Sequence, residues 1–396
     1  MSKSVLNEKQ GPDRMNETDR VNQADQGSQV SQGDRTDKEN EKGRVDTLEK
    51  GEKEYTRQLE QKDSLAKILG KSFGMLGALI VVALLFLASL AYGYTDTNIG
   101  TVIQAYMSYD GSSEQTVIRT LRMPRAILAL LVGSCLAISG ALMQALTRNP
   151  MASPGILGIN AGASLSVVIG MTVFSVHSLQ GFMWFAFFGA FASAIAVYVL
   201  GSMGREGLTP LKLTMAGVVL ASLFSSLTTG ALILNENRLE NVLFWLAGSV
   251  EGRKIEVVLP VLPFILIGML IAFLMGGKIN ALLVGEDVAK GLGQKTWMVK
   301  TFGVLVVVLL SGSAVSMAGP IGFIGLIVPH MVRGLVGIDH RWVLPYCAIF
   351  GAALLLAADI AARFILFPKE VPVGVATAVV GVPFFIYLAR RGVMKG

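Results

Sequence analysis

Repeated apolar stretches constrain this sequence more than any other feature. From about residue 73 onward, the chain alternates between long runs of apolar residues and short polar links. A helix needs about 20 apolar residues to cross the hydrocarbon core of a bilayer. The sequence therefore predicts an all-α integral membrane protein with about ten transmembrane helices. The predicted spans are Phe73–Tyr92, Ala126–Thr147, Gly155–Phe174, Gly181–Met203, Leu213–Leu234, Val257–Met275, Thr301–Met317, Ile321–Val336, Val343–Ala358 and Val371–Leu388.

One of these spans, Ile321–Val336, is short and is interrupted by Pro329, His330 and Arg333. Interruptions of this kind are tolerated at membrane depth only where protein or a water-filled path surrounds the helix. We therefore expect this helix to be covered by the rest of the bundle or to border a water-filled path.

Charged residues are concentrated before the first apolar run. Residues 1–72 hold 14 of the 34 Lys and Arg residues and 15 of the 28 Asp and Glu residues. The remaining 324 residues carry only 20 basic and 13 acidic side chains, which is too few to solvate a soluble domain of that size. The basic residues lie in short links and do not form the basic stripe of a nucleic-acid-binding surface. We expect no nucleic-acid partner.

The sequence divides into three parts. Residues 1–62 are polar and charged, with almost no large apolar residues, so we predict a disordered cytoplasmic tail. Residues 63–72 are predicted to be a juxtamembrane segment that contains a short amphipathic helix. Residues 73–396 are predicted to be the transmembrane domain.

The orientation follows from the number of spans and from the charges of the links. An even number of spans places both termini on one side of the membrane. If that side is the inside, the inner links hold 12 Lys and Arg residues and the outer links hold 8. The positive-inside rule favours this arrangement. We predict a multi-pass protein with both termini in the cytoplasm.

Several segments in a fixed order carry a family resemblance. They are Leu121–Arg125, Leu131–Gly140, Gln144–Gly158, Asn160–Ala163, Trp245–Ser249, Asn280–Asp287, Ala318–His330, Ala358–Arg363 and Glu370–Gly374. Together they closely resemble the FecCD-type permeases, the ABC importer family that handles iron–siderophores, haem and cobalamin. The resemblance runs from about residue 73 to the C-terminus.

The resemblance implies a FecCD/cobalamin-permease-like helix bundle in the bacterial cell membrane, in contact with membrane lipid. It also implies three protein partners: a cytoplasmic ABC ATPase dimer, an extracellular or periplasmic substrate-binding protein, and a second permease chain, identical or paralogous. On family frequency, the expected cargo is a ferric siderophore of the hydroxamate type. Haem and cobalamin are the alternatives within the family.

Three arginines are singled out at the predicted outer face. The resemblance implies that Arg122, Arg125 and Arg363 dock acidic residues of the substrate-binding protein. The alternative is that these arginines anchor the helices at the lipid headgroups. Asp359 lies four residues before Arg363, so a structural ion pair is expected there. A proton-relay role for this intramembrane acid is the competing interpretation.

The longest inner link of the transmembrane domain runs from Lys278 to Lys300. We predict two short helices within residues 279–293, with Gly285 and Gly293 as breaks or caps. The resemblance implies that this segment couples the permease to the ATPase. A solvated loop is the alternative. The implied coupling residues are Asn280, Ala281, Leu282, Gly285, Glu286, Asp287 and Gly293.

The pathway for a large chelate is expected to be apolar and neutral-polar. The resemblance places a cytoplasmic gate at Thr209, Pro210 and Leu211. Gly162 and Gly322 are candidate pathway residues, although small residues in membranes chiefly permit close helix packing.

The sequence contains no recognisable nucleotide site. Gly291–Thr296 lacks the spacing of a phosphate-binding loop, and no strand precedes it. We expect that a separate subunit hydrolyses ATP and that this chain is not an enzyme and binds no cofactor or metal. An ion-coupled secondary transporter and an intramembrane enzyme are the alternatives. Each would need a polar cluster at membrane depth.

Overall fold

The computed structural model describes residues 66, 68–93, 97–203, 209–234, 239–366 and 370–390, and these residues are overwhelmingly α-helical. The predicted tail, residues 1–62, lies outside the described residues. Most of residues 63–67 of the predicted juxtamembrane segment also lie outside them. Residues 68–72 open the first long helix, so the described part of that segment is continuous with the first span and forms no separate surface helix.

The helices follow the apolar runs of the sequence closely. In chain order they are α1 Ile68–Ala91, α2 Ile99–Met107, α3 Ser113–Thr147, α4 Ile159–Thr172, α5 Leu179–Ser202, α6 Pro210–Ile233, α7 Leu239–Leu246, α8 Leu262–Val284, α9 Glu286–Gly291, α10 Thr296–Ala318, α11 Ile324–Val336, α12 His340–Ile365 and α13 Val373–Arg390. Short 3-10 turns at Pro154–Leu157 and Ile255–Val257 precede α4 and α8.

Each of the ten predicted spans coincides with one of these helices. Seven of them, α1, α3, α5, α6, α8, α10 and α12, are long and apolar enough to cross a membrane. The other three, α4, α11 and α13, are shorter apolar helices. The prediction of an all-α membrane protein is confirmed.

Helix α3 lies at the centre of the bundle, and 83% of the residues in its 18-residue apolar stretch are buried. It packs against α10, α11 and α12. Two glycine contacts allow this close approach, because a Cβ atom at Gly133 would overlap the carbonyl of Gly351, and one at Gly140 would overlap the backbone of Gly325. Small residues are the usual means by which helices approach closely in membranes. The interrupted helix α11 is thereby covered by α3 on one side and by α12 on another.

The glycine contacts yield a prediction about stability. Gly140→Ala places a methyl group against the backbone of Gly325, which cannot move aside as a flexible side chain can. We expect a loss of about 1–3 kcal/mol, as for other overpacked cores. The loss would appear as a lower midpoint when the detergent-solubilised protein is heated and its folded fraction is followed by size-exclusion chromatography.

The matched control is Gly334→Ala in α11, where a Cβ atom would meet nothing within 4 Å. Because alanine favours helix more than glycine does, this variant should melt at the same temperature as the wild type or slightly higher. Equal midpoints for the two variants would contradict the close approach of α3 and α11.

Candidate functional site

Two arginines close the C-terminal end of α1. Nη1 of Arg122 donates to the carbonyls of Leu90 and Ala91, each at 2.8 Å. Nη1 of Arg363 donates to the carbonyl of Tyr92 at 2.7 Å. The last carbonyls of a helix have no partner within the helix, and a positive charge is favourable there. The two arginines therefore cap α1 from α3 and α12.

A buried carboxylate joins two of the arginines. Asp359 has 0% exposure and lies 2.9 Å from Nη2 of Arg125 and 2.5 Å from Nη2 of Arg363. Arg125 also pairs with Glu370, just before α13, at 2.6 Å. These five residues, Arg122, Arg125, Asp359, Arg363 and Glu370, are called the arginine cluster below. They tie α1, α3, α12 and the start of α13 together at one end of the bundle, the arginine end.

A π-helical turn at Ile118–Arg122 precedes the α-helical body of α3. Such turns are rare, and they often occur at functional sites. Here Arg122 and Arg125 point into the cluster, whereas Arg119 lies over the rings of Tyr106 and Tyr109 at 5.3 and 4.5 Å. Arg122 and Arg125 thus share one face of α3, and this face points inward.

The docking role of Arg122, Arg125 and Arg363 stays a prediction. Arg122 and Arg363 are each only 5% exposed, and all three arginines have partners within the chain. The predicted ion pair between Asp359 and Arg363 is confirmed. The second arginine that pairs with Asp359 is Arg125, which was not predicted as a partner. It lies 234 residues away in sequence, so no local spacing indicates the contact.

The segment predicted to couple to the ATPase has a different layout from the predicted one. Helix α8 continues to Val284, so Asn280–Val284 form its last turns and only α9 is a separate short helix. The prediction of two short helices in residues 279–293 is therefore wrong in this respect. The two breaks lie where they were predicted: α8 ends immediately before Gly285, and the chain turns at Gly293, whose φ of 79° suits glycine.

Two of the predicted coupling residues fix the end of α8 to its neighbours. Nδ2 of Asn280 donates to Asp339 at 2.5 Å, and its Oδ1 accepts the backbone N–H of His340 at 2.9 Å. The carbonyl of Leu282 accepts a hydrogen bond from Arg148, at the end of α3, at 2.9 Å. The end of α8 is therefore held by both α3 and α12. Ala281 lies between these two anchors and is half-buried.

Glu286 holds α9 against α10. Its carboxylate accepts a hydrogen bond from Lys300 at 2.8 Å and one from Thr296 at 3.2 Å. The hydrogen bond from Lys300 is the main cause that keeps the pKa of Glu286 below its usual range. Asp287 is fully exposed. The short helix is thus fixed by Glu286 and presents Asp287 to its surroundings.

Three apolar side chains beside α9 are exposed. They are Val284 at 74%, Val288 at 50% and Leu292 at 74%, and they are called the α9 patch. Exposed apolar residues rimmed by charged groups such as Asp287 and Lys290 are typical of interaction surfaces.

A cavity of about 800 Å³ lies between α4, α6 and α7. Its polar lining is neutral and includes Asn160, Ser164, Ser225, Thr228 and Thr229, among apolar residues. This composition agrees with the expected apolar and neutral-polar pathway.

The predicted gate and pathway residues, all of which the structure describes, do not line that cavity. Gly162 is buried against α5, where a Cβ atom would lie 2.7 Å from the carbonyl of Gly189. Gly162 therefore permits close helix packing, as small residues in membranes usually do. Gly322 is exposed in a link with open space around it. Thr209 caps α6 by accepting the backbone N–H of Lys212. A gate role for Thr209, Pro210 and Leu211 stays a prediction.

Three of the segments that carry the family resemblance meet in space. The backbone N–H of Ser249 donates to Ala318 at 2.8 Å, and that of Gly374 donates to Gly248 at 2.9 Å. Gly319 adopts a φ of 75°, which permits the turn after α10. The link after α7 is therefore held between the C-terminal end of α10 and the start of α13.

Residues 80–391 match the FecCD transport family. Three similar curated proteins are permeases. The siderophore transport system permease protein YfiZ of Bacillus subtilis (strain 168) is 53% identical over 320 residues, which cover 79% of this chain and 96% of that protein. The Fe(3+)-citrate import system permease protein YfmD of the same strain is 45% identical, with coverages of 77% and 90%. The ferric enterobactin transport system permease protein FepD of Escherichia coli (strain K12) is 40% identical, with coverages of 81% and 96%.

Among solved structures, an inward-facing conformation of a metal-chelate type ABC transporter is similar to this chain with a TM-score of 0.71. The sequence identity is 28%, and the match covers 80% of this chain and 98% of that chain. The predicted FecCD/cobalamin-permease-like bundle is confirmed.

The arginine cluster yields a second prediction. Asp359→Asn removes the charge shared by Arg125 and Arg363 and leaves Arg363 as a buried cation without a carboxylate. Breaking a buried ion pair in this way typically costs about 3–5 kcal/mol. We expect a large drop in the thermal midpoint of the purified protein in lipid nanodiscs.

Glu370→Gln is the control, because Glu370 is 22% exposed and, among the described residues, pairs with Arg125 alone. It should cost clearly less than Asp359→Asn. If both variants melted at the wild-type temperature, the cluster would not be holding the bundle together.

Proposed function

The chain belongs to the FecCD transport family, and on that premise we propose that it is the permease subunit of an ABC importer that carries a ferric siderophore into the cytoplasm. The match over residues 80–391, together with relatives that are themselves named as permeases, carries this proposal. The chain supplies the membrane passage, and a separate ATPase dimer uses ATP.

The exposed face of α6 supports a pathway between two permease chains. Only 17% of the residues in the 18-residue apolar stretch of this helix are buried. Its exposed residues include four with hydroxyl groups, namely Ser222, Ser225, Ser226 and Thr229. The hydroxyls of Ser226 and Thr229 bond to carbonyls one turn earlier, at 2.9 and 3.0 Å, so they add polarity without leaving donors unsatisfied. A second permease chain, identical or paralogous, would enclose the other side.

The start of α6 is the proposed cytoplasmic gate, formed by Thr209, Pro210 and Leu211. Leu211 is 69% exposed and would meet its counterpart on the second chain as an apolar constriction. Such constrictions close pores by excluding water.

The α9 patch supports the proposed contact with the ATPase. Its apolar residues lie on α9 and directly beside it. Glu286 ties this short helix to α10, and the end of α8 connects it to α3 and α12. This arrangement gives a small, firmly held projection, which suits a part that transmits movement between subunits. The α9 end of the bundle would then lie in the cytoplasm, with both termini on that side. The positive-inside rule favours this orientation, because it gives 12 Lys and Arg residues in the inner links and 8 in the outer links.

The binding protein is proposed to dock at the opposite, arginine end. Arg122, Arg125 and Arg363 line a cavity of about 320 Å³ there, together with Glu251 and Glu370. An acidic side chain of the binding protein that entered this cavity would meet the three arginines, and charge pairs of this kind chiefly set register and encounter rate.

The type of siderophore is a separate part of the proposal. The named cargoes of the relatives include citrate, enterobactin and hydroxamate complexes of iron, and cobalamin for one archaeal relative. The hydroxamate type predicted from family frequency therefore stays one option among these, with haem and cobalamin as wider alternatives.

The proposal is tested by purifying the tagged chain from its native membrane and identifying stoichiometric partners by mass spectrometry. We expect to recover a cytoplasmic ABC ATPase, and a second permease chain if the pair is heteromeric. Recovery of the chain alone, repeated after crosslinking, would contradict the proposal and favour an ion-coupled secondary transporter.

The α9 patch gives a sharper prediction within the same experiment. Val288→Asp combined with Leu292→Asp should lower ATPase recovery by about tenfold or more, as expected for the loss of central interface residues. Met203→Asp is the control: this residue is also apolar, 64% exposed and located at the same end of the bundle after α5. Equal recovery with both variants would show that the patch is not the ATPase contact.

A further inference from the structure

A separate cavity lies beside α7 at the arginine end. Its volume is about 550 Å³, within the usual range for small-molecule sites. It is called the Arg253 cavity below. Its lining includes His177, Phe182, Phe244, Trp245, Glu251 and Arg253.

Arg253 is a buried cation for which the described part of the chain provides no anionic partner. It is 5% exposed, and its Nε lies 3.5 Å from the carbonyl of Ser249. Among the residues that the structure describes, no carboxylate lies within ion-pair distance of it, in contrast to Arg125 and Arg363. Burial lowers the pKa of Arg253 to about 10, so the side chain remains positively charged at neutral pH. Buried charges are normally paired, so a negatively charged group from outside the chain is expected here.

Trp245 adds a third aromatic ring to the lining of the same cavity. It is 3% exposed, and its indole N–H is buried with no acceptor among the described residues. Together with the rings of Phe182 and Phe244, Trp245 gives the cavity aromatic walls beside the guanidinium of Arg253.

Glu251 borders this cavity but belongs electrostatically to the arginine cluster. Its pKa is raised chiefly by its own burial and then by Glu370, while Arg125 acts in the opposite direction. Glu251 also lines the cavity of the arginine cluster. It forms no ion pair with Arg253, so the positive charge of Arg253 is not neutralised within the described chain.

We propose that the Arg253 cavity binds a carboxylate group of the cargo, so that this permease favours carboxylate-bearing, anionic ferric chelates over neutral ones. The inference rests on the proposed function and adds the substrate class. A planar carboxylate matches the paired N–H groups of a guanidinium. The aromatic walls would contact the organic part of the chelate.

The test is equilibrium binding of a radiolabelled gallium citrate complex to the full-length permease in nanodiscs, without binding protein or ATP. Gallium(III) replaces iron(III) because it has the same charge and is not reduced. The neutral comparison is the gallium complex of three acetohydroxamates. We expect saturable binding of gallium citrate, with an affinity at least about tenfold lower in Arg253→Gln, and weaker binding of the neutral complex that this substitution leaves unchanged.

A further variant keeps the test decisive if Arg253→Gln folds poorly. Arg253→Lys retains the charge but loses the planar fork, so it should retain part of the affinity. Arg119→Gln is the control, since Arg119 is an exposed arginine at the same end, stacked on tyrosines, and it should bind as the wild type does.

Equal binding of the charged and neutral complexes, or wild-type affinity in Arg253→Gln, would overturn the inference. A carboxylate supplied by the binding protein would give a different pattern, in which Arg253→Gln weakens association with the ligand-free binding protein and leaves gallium citrate binding unchanged. That result would also overturn it. Because none of these measurements requires an ATPase, their failure would leave the proposed importer function standing, and the reverse also holds.

Discussion

The buried carboxylate of Asp359 is the interaction on which the arginine end depends. It lies in α12 with 0% exposure and holds Arg125 from α3 as well as Arg363 one turn further along. Because Arg363 also caps the end of α1, and Arg125 also binds Glu370 before α13, one carboxylate fixes the relative positions of four helices. In a bundle surrounded by lipid, where burial of apolar surface provides little drive for helices to associate, such a polar centre and the glycine contacts of α3 determine how the helices fit together.

The same two central helices reach the other end of the molecule. Helix α3 ends beside Arg148, which binds the last turn of α8, and α12 begins beside Asp339, which binds Asn280 of α8. The arginine cluster and the α9 patch are therefore the two ends of one continuous packed unit. A permease that binds one protein on one side and an ATPase on the other needs this kind of physical connection between the two binding surfaces.

The sequence predicts the membrane helices well because their apolar length is a local property, and each of the ten predicted spans has a counterpart. It predicts the Asp359–Arg363 pair because that spacing is also local. The break at Gly285 was predicted because glycine is a local signal, but the separate short helix before it was wrong, since α8 continues without interruption to Val284. No sequence signal indicates the partners of Arg122 or the absence of a carboxylate beside Arg253 among the described residues, because both depend on how segments far apart in the chain come together.

The central claim, that this chain forms the passage of an ATP-driven importer, is tested most directly by uptake into proteoliposomes. The permease would be reconstituted with its co-purified partners, and entry of a radiolabelled ferric chelate would be followed with and without ATP. The account predicts uptake that requires ATP and persists when ionophores remove the proton and sodium gradients. Uptake driven by an ion gradient in the absence of ATP would contradict it.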